Sequence, residues 1–413
     1  MLQRLKALGP GLLYAGAAIG VSHIVQSTRA GAQYGYILLI GIALAHIFKY
    51  PFFEIGPRYA AATGKSLVHG YNKVGKWAVW LTLLITFSTM FIIQAGVTVV
   101  TAGIANKIFQ LPIPIWQTAA ALLLICLAIL LIGRYVLLEN TMKVIMVVLA
   151  LTTVGAVISS FYSEPVNQKE WMRSFDFFNT TDIAFLIAFI GWMPAPLDIS
   201  IWHSLWSVAD QKSGEVWGLR KALFDFKVGY WGTMILAVCF LLLGANVIYG
   251  TGEALSNKGT IYAGQLIDIY TSSLGTWAYY LIAIAAFTTM FSTTLTCLDA
   301  MPRTMSALMN ELKVNKTENT ERRFYLYNII TLIAGTILVL GLLIDNMGQM
   351  IQLDTVISFL TAPIIGWLNL RTVKTLSEEN QIGNFQRILG YIGLSFLVVF
   401  SVYYLKILLS QYL

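Results

Sequence analysis

The sequence predicts an all-α membrane protein with eleven transmembrane helices. Of its 413 residues, 57% are hydrophobic and only 11% are charged, whereas a soluble protein of this length carries about 25% charged residues. The mean hydropathy of +0.71 points the same way. This composition excludes a soluble enzyme, a disordered chain and a nucleic-acid-binding domain. The three cysteines lie in separate apolar segments, so neither a disulfide framework nor a zinc site is expected.

Eleven segments are long and apolar enough to cross a bilayer, because a helix needs about 20 mostly apolar residues to span the hydrocarbon core. Short polar loops connect these segments. The predicted spans, numbered 1 to 11, are 10–34, 37–57, 77–106, 112–132, 141–162, 180–206, 226–249, 275–300, 323–344, 350–370 and 388–411.

The distribution of positive charge predicts the orientation of these spans. Cytoplasmic loops of membrane proteins carry an excess of Lys and Arg. With the N-terminus in the cytoplasm, Lys49 falls within span 2 and most of the 27 Lys and Arg residues fall inside; those that fall outside are Arg29, Lys107, Lys169, Arg173, Lys258 and Lys406. We therefore expect an integral inner or plasma membrane protein with a cytoplasmic N-terminus and an outside C-terminus. The net charge of +7 then reflects topology, and the lipid bilayer rather than a nucleic acid is the expected partner.

Two spans contain helix-breaking residues at matching positions. Span 1 contains Gly20, followed by Ser22 and His23, and span 6 contains two prolines in the stretch 191–198. Proline removes an amide donor and clashes with the preceding turn, and lipid-facing helices do not tolerate such a break without neighbours. Glycine and proline can also serve as packing notches or kinks, but the matched pair favours unwinding near Gly20–Ser22 and Met193–Leu197.

Broken helices at equivalent places are typical of transporters that are built from two inverted repeats. We therefore expect residues 1–162 to form a first inverted repeat and residues 180–370 to form a second. Residues 388–413 would add one C-terminal helix.

Several motifs resemble those of the Nramp family of proton-coupled divalent metal transporters, over essentially the whole chain. They are Gly9-Pro10-Gly11 at the start of span 1, the stretch 31–36 (GAQYGY) at its end, the Ser/Thr-rich stretch 292–296, and His203-Ser204 at the end of span 6. The resemblance implies a LeuT-type fold, with five plus five helices in inverted repeats and one more, and a transport role.

The chain departs from this family at the metal motifs. The Asp-Pro-Gly-Asn motif of the first helix aligns with Gly20-Val21-Ser22-His23, and the Met-Pro-His-Asn motif of the sixth aligns with Ala195-Pro196-Leu197-Asp198 or is shifted by one. The first-helix aspartate and the thioether ligand are therefore missing, unless Met193 is recruited by a register change. Span 3 also lacks the acidic residues expected for a proton route.

A tentative metal site is formed by His23, Asp198 and Asp354, the ionisable residues near mid-depth in spans 1, 6 and 10. A histidine nitrogen and two carboxylates suit Mg²⁺, Mn²⁺ or another borderline cation. The wider set of expected substrate-binding residues is Gly20, Ser22, His23, Gln26, Met193, Ala195, Asp198 and Asp354. His203, Lys49 and Glu54 are candidates for gating or coupling.

Each candidate also has a structural alternative. His23 can be a packing histidine with satisfied nitrogens, and Asp198 can cap the second half of the broken helix. Asp354 can lie towards the outside in water, and Lys49 and Glu54 can pair with each other or with Arg58.

The sequence therefore predicts a secondary transporter, a symporter, that works by alternating access on a divalent cation. Mg²⁺ or Mn²⁺ is the leading cargo. The alternative is a small polar organic solute or acid, because Ser22, Gln26 and the aromatic residues Trp192 and Trp202 flank the breaks. The sequence contains no repeated pore motif and no sensor domain, so a channel or a receptor is not favoured. It also contains no catalytic motif that would indicate an enzyme. No cofactor is expected, and the sequence does not reveal an oligomeric state.

Overall fold

The computed structural model describes residues 9–132, 135–162, 175–212, 218–313, 318–343 and 347–412, which form helices and connecting loops with no strand. The α-helices are α1 (Pro10–Ala18), α2 (Thr28–Tyr34), α3 (Leu39–Thr63), α4 (Leu67–Val74), α5 (Lys76–Ile108), α6 (Ile115–Ile132), α7 (Tyr135–Ser160), α8 (Thr180–Trp192), α9 (Ile199–Lys212), α10 (Leu219–Val247), α11 (Gly259–Leu274), α12 (Tyr279–Leu312), α13 (Glu318–Leu343), α14 (Met347–Val373) and α15 (Asn384–Tyr412). Lys169 and Arg173, which are expected outside, and residues 1–8 lie beyond this described part.

Eight segments of the described chain are long and apolar enough to cross a membrane, and the shorter apolar helices Val147–Ser160 and Thr180–Trp192 accompany them. The all-α membrane architecture is thus confirmed, while the count of eleven spans stays a prediction. The division into two inverted repeats also stays a prediction.

Two helices that the sequence did not predict connect the spans. The eight-residue α4 follows α3, and the 16-residue α11 precedes α12. Both are too short to span a bilayer. The tyrosines Tyr262 and Tyr270 anchor α11 to the protein, because both are buried.

The halves of the two broken helices pack against long neighbouring helices. Helix α10 packs against α1, α2 and α3, and α9 packs against α3. Helix α14 packs against α8 and α5, and α12 packs against α5 and α13. The breaks are therefore surrounded by protein, which is where irregular backbone at membrane depth can be satisfied.

The first helix is interrupted at Ile19–Gly20, between α1 and a π-helical segment, Val21–Ser27, that leads into α2. Thr293 of α12 lies so close to Gly20 that a Cβ atom there would come within 2.8 Å of its methyl group. The Thr293 hydroxyl lies 3.2 Å from the Gly16 carbonyl oxygen and 3.5 Å from that of Ile19. The predicted break is confirmed, and its freed carbonyl groups have a donor.

The sixth predicted span is interrupted from Met193 to Asp198, between α8 and α9. The Met193–Pro194 peptide bond is cis. The Trp192 indole donates to Ser358 Oγ of α14 at 2.8 Å, which fixes the end of α8 against its neighbour. This break is also confirmed at the predicted residues.

Candidate functional site

The two breaks meet in the centre of the protein. Ser22 Oγ, in the first broken helix, lies 3.4 Å from the carbonyl oxygen of Pro194 in the second. Beside this contact is a cavity of about 20 Å³, enough for one water-sized occupant. Its lining residues are Ala17, Ala18, Val21, Ser22, Ile93, Val97, Trp192, Pro196, Ile199, Trp202, Thr293 and Cys297.

His23 lies beside this contact with both ring nitrogens engaged. Its Nε2 atom is 3.0 Å from the Thr233 carbonyl oxygen, and its Nδ1 atom is 2.7 Å from Ser22 Oγ. A carbonyl oxygen can only accept, so Nε2 carries a proton and donates. In the neutral ring Nδ1 then carries the lone pair, and it accepts the single Ser22 hydroxyl proton only when that proton is not donated to the Ala18 carbonyl oxygen, 2.8 Å from Ser22 Oγ. Both nitrogens of His23 thus lie within hydrogen-bond distance of protein groups, as in the structural alternative of a packing histidine.

Asp354 of α14 is fully buried, and neither carboxylate oxygen has a hydrogen-bond partner. It lies against Gly96 of α5, next to the cavity-lining residue Val97. The expectation that Asp354 might lie in water is therefore wrong. A buried carboxylate without a donor is costly, so this group is suited to receive a cation or a proton.

Asp198 is 8% exposed and lies at the start of α9, close enough to Asp354 for the two carboxylates to interact electrostatically. The first-turn amides of α9 donate to backbone oxygens instead: Ser200 N to Leu197 O at 3.0 Å and Ile201 N to Asp198 O at 2.9 Å. The carboxylate is therefore not used as the helix cap that the sequence allowed.

The remaining substrate-site candidates are buried around the breaks. Gln26 lies in the π-helical segment, and Met193 and Ala195 lie in the second break. None of these three lines the cavity. Within the described ranges, no group of three or more His, Cys, Asp or Glu side chains is arranged to hold a metal. The described residues therefore do not combine His23, Asp198 and Asp354 into a three-ligand metal site.

The three gating candidates have separate environments. Glu54 pairs with Arg58 at 2.5 Å and accepts from Gln386 at 2.8 Å. Lys49 does not pair with Glu54, because its ammonium group points to the carbonyl groups at the end of α8. His203 stacks on Tyr14 with ring centroids 5.7 Å apart, and both of its buried nitrogens lack a hydrogen-bond partner in the described structure.

Sequence reasoning missed two functional candidates on α12, Thr293 and Cys297. Thr293 belongs to the Ser/Thr-rich stretch 292–296, so a signal was present. Cys297 gives no such signal, because the three cysteines lie in separate apolar segments and predict neither a disulfide framework nor a zinc site. It nevertheless lines the cavity, which puts a sulfur atom where none was expected.

Polar contacts hold both ends of the broken first helix. Arg29 of α2 donates to Asn257 Oδ1 at 2.9 Å and to the Ser256 carbonyl oxygen at 2.5 Å. At the opposite end of the broken helix, Asp225 of α10 accepts from the amide of Gly9 at 3.0 Å and from that of Gly11 at 2.5 Å. These contacts tie the two ends of the broken helix to neighbouring segments of the protein.

A family model described as natural resistance-associated macrophage protein-like (Nramp) matches residues 11–406. The chain belongs to the Nramp family. An uncharacterized protein of Pasteurella multocida is 36% identical over 412 residues, covering 97% of this chain and 92% of that protein. The metal transporter Nramp3 of rice (Oryza sativa subsp. japonica) is 23% identical, covering 96% of this chain and 73% of that protein.

Solved structures confirm the LeuT-type fold of this Nramp protein. The manganese transporter of Eremococcus coleocola, in complex with an aromatic bis-isothiourea substituted compound, matches with a TM-score of 0.66 at 15% identity. The match covers 96% of this chain and 85% of that one. MhsT in complex with L-phenylalanine matches with a TM-score of 0.60 at 14% identity, covering 95% and 98%. Family and fold together make this Nramp protein an integral membrane transporter for metal ions and not an enzyme.

Proposed function

We propose that this protein moves a divalent cation, Mg²⁺ or Mn²⁺, across the membrane by alternating access. The observation that carries the proposal is the buried Asp354 carboxylate. Both of its oxygens lack a hydrogen-bond donor among the described residues. A divalent cation would stabilise a buried carboxylate of this kind, and Asp198 at the start of α9 would supply a second one.

The polar groups around the cavity also suit a hard cation. Ser22 and Thr293 supply hydroxyl oxygens, and the break near Pro194 supplies carbonyl oxygens. Magnesium and manganese prefer such oxygen ligands. The small volume of about 20 Å³ fits a cation or a water molecule, and it excludes an amino acid in this conformation.

A second candidate is a small organic solute, and one observation favours it. The cavity lining contains Trp192 and Trp202 but no ionised side chain. Ligand pockets for organic molecules are mostly apolar and aromatic, with a few polar groups. An organic cargo requires the cavity to expand before it binds.

Alternating access requires the contacts at the two ends of the broken first helix to release one at a time. The contacts of Arg29 face outside and those of Asp225 face the cytoplasm if the charge distribution sets the orientation as predicted. This orientation places the N-terminus in the cytoplasm and the C-terminus outside, with the protein in the inner or plasma membrane. Coupling to a second ion in the same direction would make the protein a symporter.

The test is uptake of Mn²⁺ and Mg²⁺ into proteoliposomes by Asp354→Asn and Asp198→Asn proteins. Asparagine keeps the size and removes the charge, so we expect uptake to fall by roughly tenfold or more, since hydrogen bonds and contacts to charged groups are worth about 1.5–3 kcal/mol. The matched control is Asp268→Asn, which changes an exposed carboxylate on α11. Full metal uptake by stable Asp354→Asn and Asp198→Asn proteins would contradict the proposal, and a melting-point rise with organic acids but not with metals would favour the second candidate.

A further inference from the structure

Lys49 connects α3 to the end of α8. Its ammonium nitrogen lies 2.6 Å from the Ile190 carbonyl oxygen and 2.8 Å from the Gly191 carbonyl oxygen. The residue is only 1% exposed, so this contact is shielded from bulk solvent. A buried cation therefore sits at the C-terminal end of the helix that leads into the second break.

These carbonyl groups need a partner because the helix ends there. The last carbonyls of any helix lack an amide donor from a following turn, and Pro194 has no N–H group to offer. Met193 N reaches the Ile190 oxygen at 3.2 Å, but the Gly191 oxygen depends on Lys49. The C-terminal end of a helix also carries a partial negative charge that attracts a cation.

No carboxylate of the described residues lies within the 4.0 Å ion-pair distance of the Lys49 nitrogen. Glu54, on the same helix, is held by Arg58. His46, one turn earlier, interacts electrostatically with Lys49. The backbone oxygen of His46 accepts from the Tyr230 hydroxyl of α10 at 2.6 Å.

No described acidic group on the other elements packed against α3 forms an ion pair with Lys49. His203 of α9 stacks on Tyr14. Asp354 of α14 lies against α5, and Asp225 of α10 accepts from backbone amides at the start of α1. The hydrogen-bond acceptors of the Lys49 ammonium group are therefore the backbone carbonyl oxygens at the end of α8.

In transporters with broken helices, unwound carbonyls and the C-terminal ends of half-helices bind free coupling cations. We propose that the Lys49 ammonium is a tethered cation that takes this place at the end of α8, holding the second break closed without a free Na⁺ ion. This role rests on the proposed transport cycle but not on the identity of the cargo. It makes Lys49 a positioning residue for the break, since it does not line the cavity.

The first experiment measures opening of the cavity without any cargo. Cys297 lines the cavity, and Cys126 and Cys239 are the other cysteines. In a Cys126→Ser, Cys239→Ser background, the rate of maleimide labelling reports exposure of Cys297. Lys49→Met keeps the length of the side chain and removes the charge. We expect labelling to accelerate roughly tenfold, because a hydrogen bond to a charged group is lost at a closed site.

Chemical rescue separates charge from packing. In Lys49→Ala, added n-propylammonium replaces the missing atoms and should restore slow labelling, whereas tetramethylammonium has no N–H donor and should not. Lys107→Ala, at the end of α5, is the matched control, and its labelling should not respond to either amine. Added Na⁺ should leave labelling of the parent protein unchanged.

Three results would overturn the proposal. They are labelling of a folded Lys49→Met protein at the parent rate, slower labelling of the parent in Na⁺, and fast labelling of Lys49→Ala that persists in n-propylammonium. Lys49→Gln replaces Lys49→Met if the latter does not fold. Uptake of Mn²⁺ by the parent in Na⁺-free buffer is measured separately, so failure of the metal proposal leaves the labelling result valid.

Discussion

Gly96 of α5 lies directly against the carboxylate of Asp354, so that a Cβ atom on Gly96 would come within 2.5 Å of Oδ2. Only a residue without a side chain leaves this carboxylate in its present position. The position of this proposed cation ligand on α14 therefore depends on a glycine of α5.

Gly96→Ala should reduce uptake of Mn²⁺ by displacing Asp354. Alanine is a better helix former than glycine by about 1 kcal/mol, so the loss should not come from a weaker α5. Initial uptake rates and melting temperatures check both parts. Gly155→Ala and Gly232→Ala are matched controls, because nothing lies within 4 Å of a Cβ atom at either position. Equal uptake by Gly96→Ala and these controls would contradict the prediction.

His23→Gln should cost stability more than cargo affinity. Both ring nitrogens of His23 already bond to Thr233 and Ser22, and a buried hydrogen bond is worth about 1 kcal/mol. We expect a lower melting temperature and a KM for Mn²⁺ within about threefold of the parent value, below the roughly tenfold that a lost 1.4 kcal/mol interaction gives. A large rise in KM at unchanged stability would show that His23 turns towards the ion.

Cys297→Ser should change metal selectivity. A thiolate binds soft metals, and a hydroxyl favours hard ones. Since Cys297 lines the cavity, the serine protein should discriminate less in favour of Cd²⁺ over Mg²⁺ in a competition uptake assay. Cys126→Ser, on α6, serves as the control because Cys126 does not line the cavity. An unchanged selectivity ratio would place the sulfur outside the ion path.

Asp225→Asn should weaken closure at the start of α1. The carboxylate accepts from the amides of Gly9 and Gly11, and an amide side chain offers only one oxygen to accept both bonds. We expect Cys297 to be labelled faster from that side, by a factor of about five to thirty for a lost 1–2 kcal/mol. Labelling from the side of Arg29 is the comparison, and an equal effect on both sides would argue for general loosening.

The sequence predicted features whose causes are local. Two closely spaced prolines at 194 and 196, and a glycine at 20 beside polar residues, weaken a helix locally, and their matching positions in two spans allowed both breaks to be placed. The pairing of Asp299 with Arg303 at 2.7 Å is also local, because the two residues lie one helical turn apart. Composition and apolar length were sufficient for the membrane architecture.

Features that depend on distant parts of the chain could not be predicted. His23 is satisfied by a carbonyl group 210 residues later, and Lys49 by carbonyl groups 141 and 142 residues later. No pattern near either residue reveals these partners. Helix α11 was missed because it is short and its apolar residues form one face rather than a continuous span.

The glycines between the first broken helix and α10 have a mechanical consequence. A methyl group on Gly11 would overlap the Asp225 backbone oxygen, and one on Gly31 would overlap that of Leu241. From the opposite side, Gly244 fits against the Thr28 carbonyl group in the same way. Both halves of the broken helix therefore pack, backbone against backbone, on the continuous helix α10. Neither half can move alone without losing one of these backbone contacts, so α10 must move with it or release one half at a time.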